Sequence, residues 1–287
     1  MFYSPLRYPG GKNKLAKFIA KICVDNNING HYIEPYAGGA SVALYLLIEN
    51  KVKEITINDF DRSIYAFWYS VLYKTDELCN LIENTPINIE VWERQKIIQK
   101  RKKHVDLLSL GFSTLFLNRT NISGIINGGV IGGKNQNGKY KMDCRFNKDE
   151  IIRRIKLIAS YKKFIHISNK DAIELIKEIK SKNNLKNTII YFDPPYFLKG
   201  RSLYMNAYKK EDHIKVANMI RNLRGVHWIV SYDDVDEINK IYRWVKNKLS
   251  INLTYTAYKI KRGSEVLFFS DMFSNLNLIN KRRQLSP

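Results

Sequence analysis

The chain is short of cysteine, short of acids and free of long apolar runs. Three cysteines, Cys23, Cys79 and Cys144, stand far apart and are odd in number. That is neither a disulfide framework nor a paired-cysteine zinc site, and no metal is expected. No stretch of about 18 uninterrupted apolar residues occurs, so no membrane span is expected. Met1 to Gly11 lack the apolar core of a secretory signal, which leads to the expectation of a cytoplasmic protein. Acids number 27 against 48 lysines and arginines in 287 residues, a net charge of +21. Such a surplus concentrates polyanions around the molecule, and nucleic acid is the leading partner. A lysine- and asparagine-rich composition without function is the other reading of the same number. Aromatics are plentiful, with 18 Tyr, 13 Phe and 4 Trp, which excludes a disordered chain.

The first 75 residues alternate between helical and extended patterns. Leu15, Ala16, Phe18, Ile19 and Ile22 share one face of a helix over 13–24. Tyr32-Ile33 is a strand leading into a glycine turn, and the apolar segment Ser41 to Glu49 is a helix. Ile55-Thr56-Ile57 is a second strand, and Asp61 opens another helix. This alternation implies a parallel sheet. It resumes with strands at Phe164 to Ser168, Thr188 to Phe192 and His227 to Ser231. Helices follow at Ala172 to Lys180, Lys209 to Leu223 and Val235 to Tyr242. Thr254 to Tyr258 and Glu265 to Ser270 read as a closing hairpin.

The middle differs. Arg94 to Lys103 holds six basic residues, read either as a solvated helix face or as a phosphate contact. Between Leu117 and Phe146 the chain is glycine-rich, and Asn137-Gly138 suggests a tight hairpin turn. Asn147 with Glu150 three residues later suggests a capping box. The expected organisation is one α/β catalytic domain, 1–75 and 161–287, interrupted by a mainly helical recognition domain, 76–160, that carries a hairpin or loop.

Three motifs carry chemistry. Asp193-Pro194-Pro195-Tyr196 follows the apolar strand 188–192, where open parallel sheets place ligands. It offers a carboxylate, two rigid prolines and an exposed aromatic. Glu34-Pro35-Tyr36-Ala37-Gly38-Gly39 lies between strand and helix, and Asp59 ends the next strand about 20 residues on, suited to ribose hydroxyls. The glycines are adjacent, so a ribose-bearing ligand without pyrophosphate fits better than a dinucleotide. Arg7-Tyr8-Pro9-Gly10-Gly11-Lys12 lacks the spacing of a nucleotide-triphosphate loop.

In this order the motifs resemble the Dam-like family of DNA adenine-N6 methyltransferases. Asn58-Asp59-Phe60-Asp61, Phe116-Leu117-Asn118-Arg119-Thr120, Cys144 to Lys148 and Gly263 to Phe269 extend the resemblance along nearly the whole chain. It implies a Rossmann-like fold using S-adenosyl-L-methionine (SAM). It assigns Glu34, Tyr36, Ala37, Gly38 and Gly39 to the methionine part, Asp59 to the ribose and Asp171 to the adenine of the cofactor. Tyr8 and Lys12 would border the cofactor and target-base pockets. A helix N-cap is the alternative for Asp171.

Asp193 and the Pro194 carbonyl would accept the two N–H groups of a flipped adenine, beside the cofactor, and Tyr196 would stack on it. Transfer would be direct and in line. A cytosine-C5 mechanism would need a nucleophilic cysteine, and none is placed for one. Arg119, Asn118 and Asn121 are candidates for base edges, and Lys134, Lys139, Lys141 and Arg145 for phosphates. Ile125 to Tyr140 is longer than in Dam, so the resemblance gives no target sequence. His213 and His227 read as structural. The expected function is methylation of adenine N6 in a short duplex site by a monomer, bacterial or phage-encoded and nucleoid-associated. It would act alone or beside a restriction endonuclease. Cytosine-N4 methylation, an RNA substrate and a silent DNA-binding module remain open.

Overall fold

A computed structural model describes residues 3–7, 13–181, 185–197, 208–257 and 259–276. Tyr8, Lys12, most of the 199–210 segment and Tyr258 lie outside the described residues.

The chain begins with α1 (Asn13–Asp25), β1 (His31–Glu34), α2 (Ser41–Ile48), β2 (Glu54–Asn58) and α3 (Arg62–Tyr73). Four helices follow: α4 (Thr75–Asn84), α5 (Ile89–Lys100), α6 (Leu107–Thr120) and α7 (Lys148–Ser160). Alternation then returns with β3 (Ile165–Ser168), α8 (Ala172–Lys180), β4 (Thr188–Phe192), α9 (Lys210–Arg221), β5 (His227–Asp233) and α10 (Asp236–Ile241). It closes on the hairpin β6 (Asn247–Ala257) and β7 (Lys259–Phe269).

The strands form one seven-stranded sheet in the order β3-β2-β1-β4-β5-β7-β6. Pairs among β1 to β5 are parallel, and β7 is antiparallel to both β5 and β6. The order reverses between β1 and β4, which opens a crevice beyond their carboxyl ends.

The sheet is buried on both faces because its central strands are apolar at successive positions. Ile189, Tyr191, Ile229, Leu267 and Phe269 face α1, α2 and α3. Ile190, Phe192, Val230, Tyr232, Val266 and Phe268 face α8, α9 and α10. The fold is therefore Rossmann-like and doubly wound.

Helices α4 to α7 extend the first of these layers. Leu78, Ile82, Trp92, Phe116, Ile151 and Ile155 join Phe67, Trp68 and Val71 in one buried cluster. α6 can lie close to α3 because Gly111 has no side chain. A Cβ there would stand 2.4 Å from Ser70 Oγ and 2.5 Å from the Ala66 carbonyl oxygen.

Two local expectations need correction. Asn137-Gly138 makes no hairpin, and only a single bridge, Asn121 with Val130, marks strand-like pairing there. The loop is closed by Gly132 and Gly133 at φ 84° and 74°, and by the Gln136 side chain. That side chain donates to the Ile131 carbonyl (2.8 Å) and accepts from the Met142 N–H (2.9 Å). The capping box at α7 is half formed. Asn147 accepts from the Glu150 N–H (3.0 Å), but the Glu150 carboxylate turns to Arg153 and Arg154, which offer full charges.

Candidate functional site

The β1–α2 turn and the end of β2 bring two carboxylates together at the sheet's carboxyl edge. Glu34 ends β1 and is buried. Its Oε1 accepts from the Tyr32 hydroxyl (2.8 Å) and the Ala43 N–H (3.3 Å). Burial pushes the carboxyl up to about 8, and the charge of Asp193 on the neighbouring β4 adds to the rise. Asp59 follows β2. It accepts from the Gly38 N–H (2.9 Å) through one oxygen and from the Asp61 N–H (2.9 Å) through the other. Desolvation pushes it up to about 7.

The turn itself is held from outside. Gly38 has φ 47°, a conformation that suits glycine. Its carbonyl accepts from the Trp68 indole N–H (2.9 Å). Ala40 also lies in the left-handed region (φ 46°), which stores strain between the strand and α2. Asn58 is buried and saturated. It donates to the Pro35 and Lys170 carbonyls (both 2.9 Å) and accepts from Ser168 Oγ (2.7 Å) and the Lys170 N–H (2.9 Å). It thus ties together the loops after β1, β2 and β3. Within the Asn58-Asp59-Phe60-Asp61 match, sequence reasoning gave Asn58 no role. An asparagine directly after the inward-facing Ile55 and Ile57, at the end of the strand, was the available signal.

Asp171 caps α8, accepting from the Ile173 N–H (2.8 Å) through one oxygen. Its charge reaches the Tyr36 and Tyr208 hydroxyls, which bond each other at 3.1 Å.

Asp193 stands at the carboxyl end of β4, beside β1. Its Oδ1 accepts from Ser231 Oγ (2.8 Å), and Ser231 Oγ in turn meets the Tyr191 hydroxyl (2.9 Å). Sequence reading named neither partner, because Ser231 lies 38 positions away on β5. The next residues are also anchored. The Phe197 N–H donates to Asp233 (2.9 Å), and the Tyr196 hydroxyl donates to Glu265. Tyr196 is therefore corrected from an exposed aromatic to a buried one, 4% exposed. Its hydroxyl is satisfied by a buried acid that local sequence could not reveal.

The recognition candidates divide by burial. Asn118 accepts from the Arg7 N–H (2.7 Å) and donates to the carbonyls of Arg7 (2.7 Å) and Gly124 (2.8 Å). Asn121 accepts from the Trp92 indole N–H (2.7 Å) and donates to the carbonyls of Ile125 and Ile126 (both 2.9 Å). Both amides are buried and spent on the fold, which removes them as base readers. Arg119 folds back onto the Pro5 and Arg145 carbonyls, and burial lowers its guanidinium to about 10, so it too is corrected to an internal brace. Lys134, Lys139, Lys141 and Arg145 are exposed. His213 is buried against the Tyr232 hydroxyl (3.0 Å), and His227 against Phe273, with burial lowering both imidazoles. Among the described residues no group of His, Cys, Asp or Glu side chains could hold a metal, and no helix is long and apolar enough to cross a membrane.

A doubly wound sheet with desolvated carboxylates at the reversal point is the kind of crevice that suits a nucleoside cofactor. The carboxylates fit SAM. Burial penalises their charged forms, and that molecule brings ribose hydroxyls and positive charge that would offset the penalty. Residues 8–260 match the D12 class of N6 adenine-specific DNA methyltransferases, and the chain belongs to that family. It is a SAM-dependent enzyme that methylates adenine N6 in DNA. A Type II methyltransferase of Methanocaldococcus jannaschii, M.MjaIII, is 25% identical over 260 residues, covering 83% of this chain and 86% of that one. A SAM-dependent methyltransferase of Agrobacterium tumefaciens overlays with a TM-score of 0.43 at 8% identity, over 90% of this chain and 61% of that one. The rRNA methyltransferase aviRa of Streptomyces viridochromogenes overlays with a TM-score of 0.37 at 9% identity, over 93% and 88%. Overlays this loose bear on no residue of the site.

Proposed function

We propose that the enzyme methylates adenine within a short duplex site by flipping the base into the crevice between β1 and β4. The observation that carries this reading is Asp193, placed at the sheet reversal beside Glu34 and oriented by Ser231. Asp193 and the Pro194 carbonyl accept the two N–H groups of the target amine. That draws the nitrogen lone pair out of the ring and towards attack. No covalent enzyme intermediate is needed. Glu34 and the Tyr36–Gly39 turn hold the methionine end of the cofactor, Asp59 the ribose, and Asp171, through its spare oxygen, the adenine. Bound there, SAM supplies a methyl group carried on a sulfonium. Tyr196 supports the wall of the base pocket through Glu265.

Residues 76–160 act as the recognition unit. With Asn118, Asn121 and Arg119 committed internally, the exposed Lys134, Lys139, Lys141 and Arg145 make phosphate contacts. The enzyme works as a cytoplasmic monomer, alone or with a cognate endonuclease. The relative named as a Type II methyltransferase favours the latter.

Incubation with duplex DNA and labelled SAM, followed by digestion to nucleosides, tests the reading. N6-methyladenine is expected from the wild type and none from Asp193→Ala. N4-methylcytosine, or equal product from both proteins, would overturn it.

A further inference from the structure

The basic run 94–103 is not uniformly a solvated face. Lys100, Arg101 and Lys103 are exposed, but the Lys102 side chain is 27% exposed and points inward to Asp61, whose side chain is 10% exposed (Nζ to Oδ1, 2.9 Å). The turn that carries Lys102 is fixed to the start of α3. The Arg62 guanidinium donates to the Lys102 and Val105 carbonyls, the latter at 3.0 Å. Beneath it, Ser63 Oγ donates to Gln99 (2.9 Å), and Gln99 donates to Thr114 Oγ1 (3.0 Å). The backbone on both sides of the pair is therefore fixed, and at 27% and 10% exposure the two charges are screened less than a fully exposed pair.

Asp61 is the residue whose backbone N–H holds Asp59 (2.9 Å), while its own carboxylate caps α3 through the Ser63 N–H (2.9 Å). We propose that Lys102 and Asp61 are a positioning pair for the cofactor site, holding the Asp59 carboxylate in place from the turn after α5. This rests on the reading of Asp59 as the ribose acid. Among the described residues, the titratable groups whose charge reaches Asp59 are Asp61 from its own loop, Lys102 from that turn and Tyr208 from the segment before α9. Of these, Lys102 favours the ionised carboxylate, while Asp61 favours it through its backbone N–H and, to a smaller extent, opposes it through its charge. A helix cap alone would need neither Lys102 nor the brace by Arg62.

Equilibrium binding of SAM and steady-state kinetics test the pair, using Lys102→Met, Lys102→Arg, Asp61→Asn and Asp59→Asn. Asparagine caps a helix as well as aspartate, so Asp61→Asn removes the ion pair and keeps α3. Lys102→Met and Asp61→Asn should raise KM for SAM at least about fivefold, with kcat at saturation and KM for DNA unchanged. In Lys102→Met the pH below which cofactor affinity is lost should move upward, because a positive charge beside Asp59 is gone. Lys102→Arg should restore both. If Lys102→Met and Asp61→Asn bind SAM as the wild type does while Asp59→Asn does not, the positioning pair is overturned and the ribose reading survives. If Asp59→Asn binds normally, the ribose reading itself fails. Loss of DNA affinity with intact SAM affinity would make Lys102 a phosphate contact and overturn the proposal. Should Lys102→Met not fold, Asp61→Asn decides.

Discussion

At the scale of single residues, the site is built from acids that are costly to ionise and from neighbours that orient them. Ser231 is the clearest orienting group, since one hydrogen bond fixes Asp193 Oδ1. Ser231→Ala should lower kcat by about tenfold, the worth of one such bond to a charged group, with SAM affinity unchanged. Single-turnover and binding measurements on one preparation would check this. Glu34 gives a second expectation. Its folded value of about 8 lies above its ordinary value of 4.5, because burial disfavours the charge. Between those values the unfolded chain has released a proton that the folded chain keeps. Its contribution therefore favours folding at low pH and is lost as pH rises through about 8. Without cofactor, the melting temperature should fall over that window, and Glu34→Gln should flatten the fall.

At the scale of elements, close packing of α6 on α3 fixes the helical layer to the cofactor loop. Gly111→Ala puts a methyl group within 2.5 Å of the Ala66 carbonyl oxygen, a neighbour that cannot yield easily. It should cost about 1–3 kcal/mol in urea unfolding. Asn121→Ala should act in the same way, because it strips the Trp92 indole of its acceptor and removes one donor from each of two carbonyls. A loss of about 1–3 kcal/mol in stability, with the methylated sequence unchanged, is the expected result. A changed target sequence in a fully stable protein would return Asn121 to the role of base reader.

At the scale of the whole molecule, the surplus of +21 becomes a statement about binding. Exposed Lys134, Lys139, Lys141 and Arg145 lie on one loop and its exit, and the exposed part of the basic run precedes α6. If these contact phosphates, DNA affinity should fall steeply with salt, and replacing Lys139, Lys141 or Arg145 by Gln should reduce the slope by about one each. Titrations at several salt concentrations measure this. A flat response would assign the surplus to composition alone.

The sequence by itself determined the alternation of strands and helices, the family and the positions of Glu34, Asp59 and Asp193. These are local properties: apolar period, glycine turns, and acids that end strands. β4 and α8 were legible to the residue, since both are bounded by strong caps and turn residues. Partnership was not legible. Whether an amide reads a base or holds a carbonyl depends on atoms 111 positions away for Asn118 and 29 for Asn121. The same holds for Tyr196 and Glu265, 69 positions apart, and for Lys102 and Asp61, 41 apart. Only the tertiary structure decided those pairings, because a buried polar group must find its partner wherever the packed chain places one.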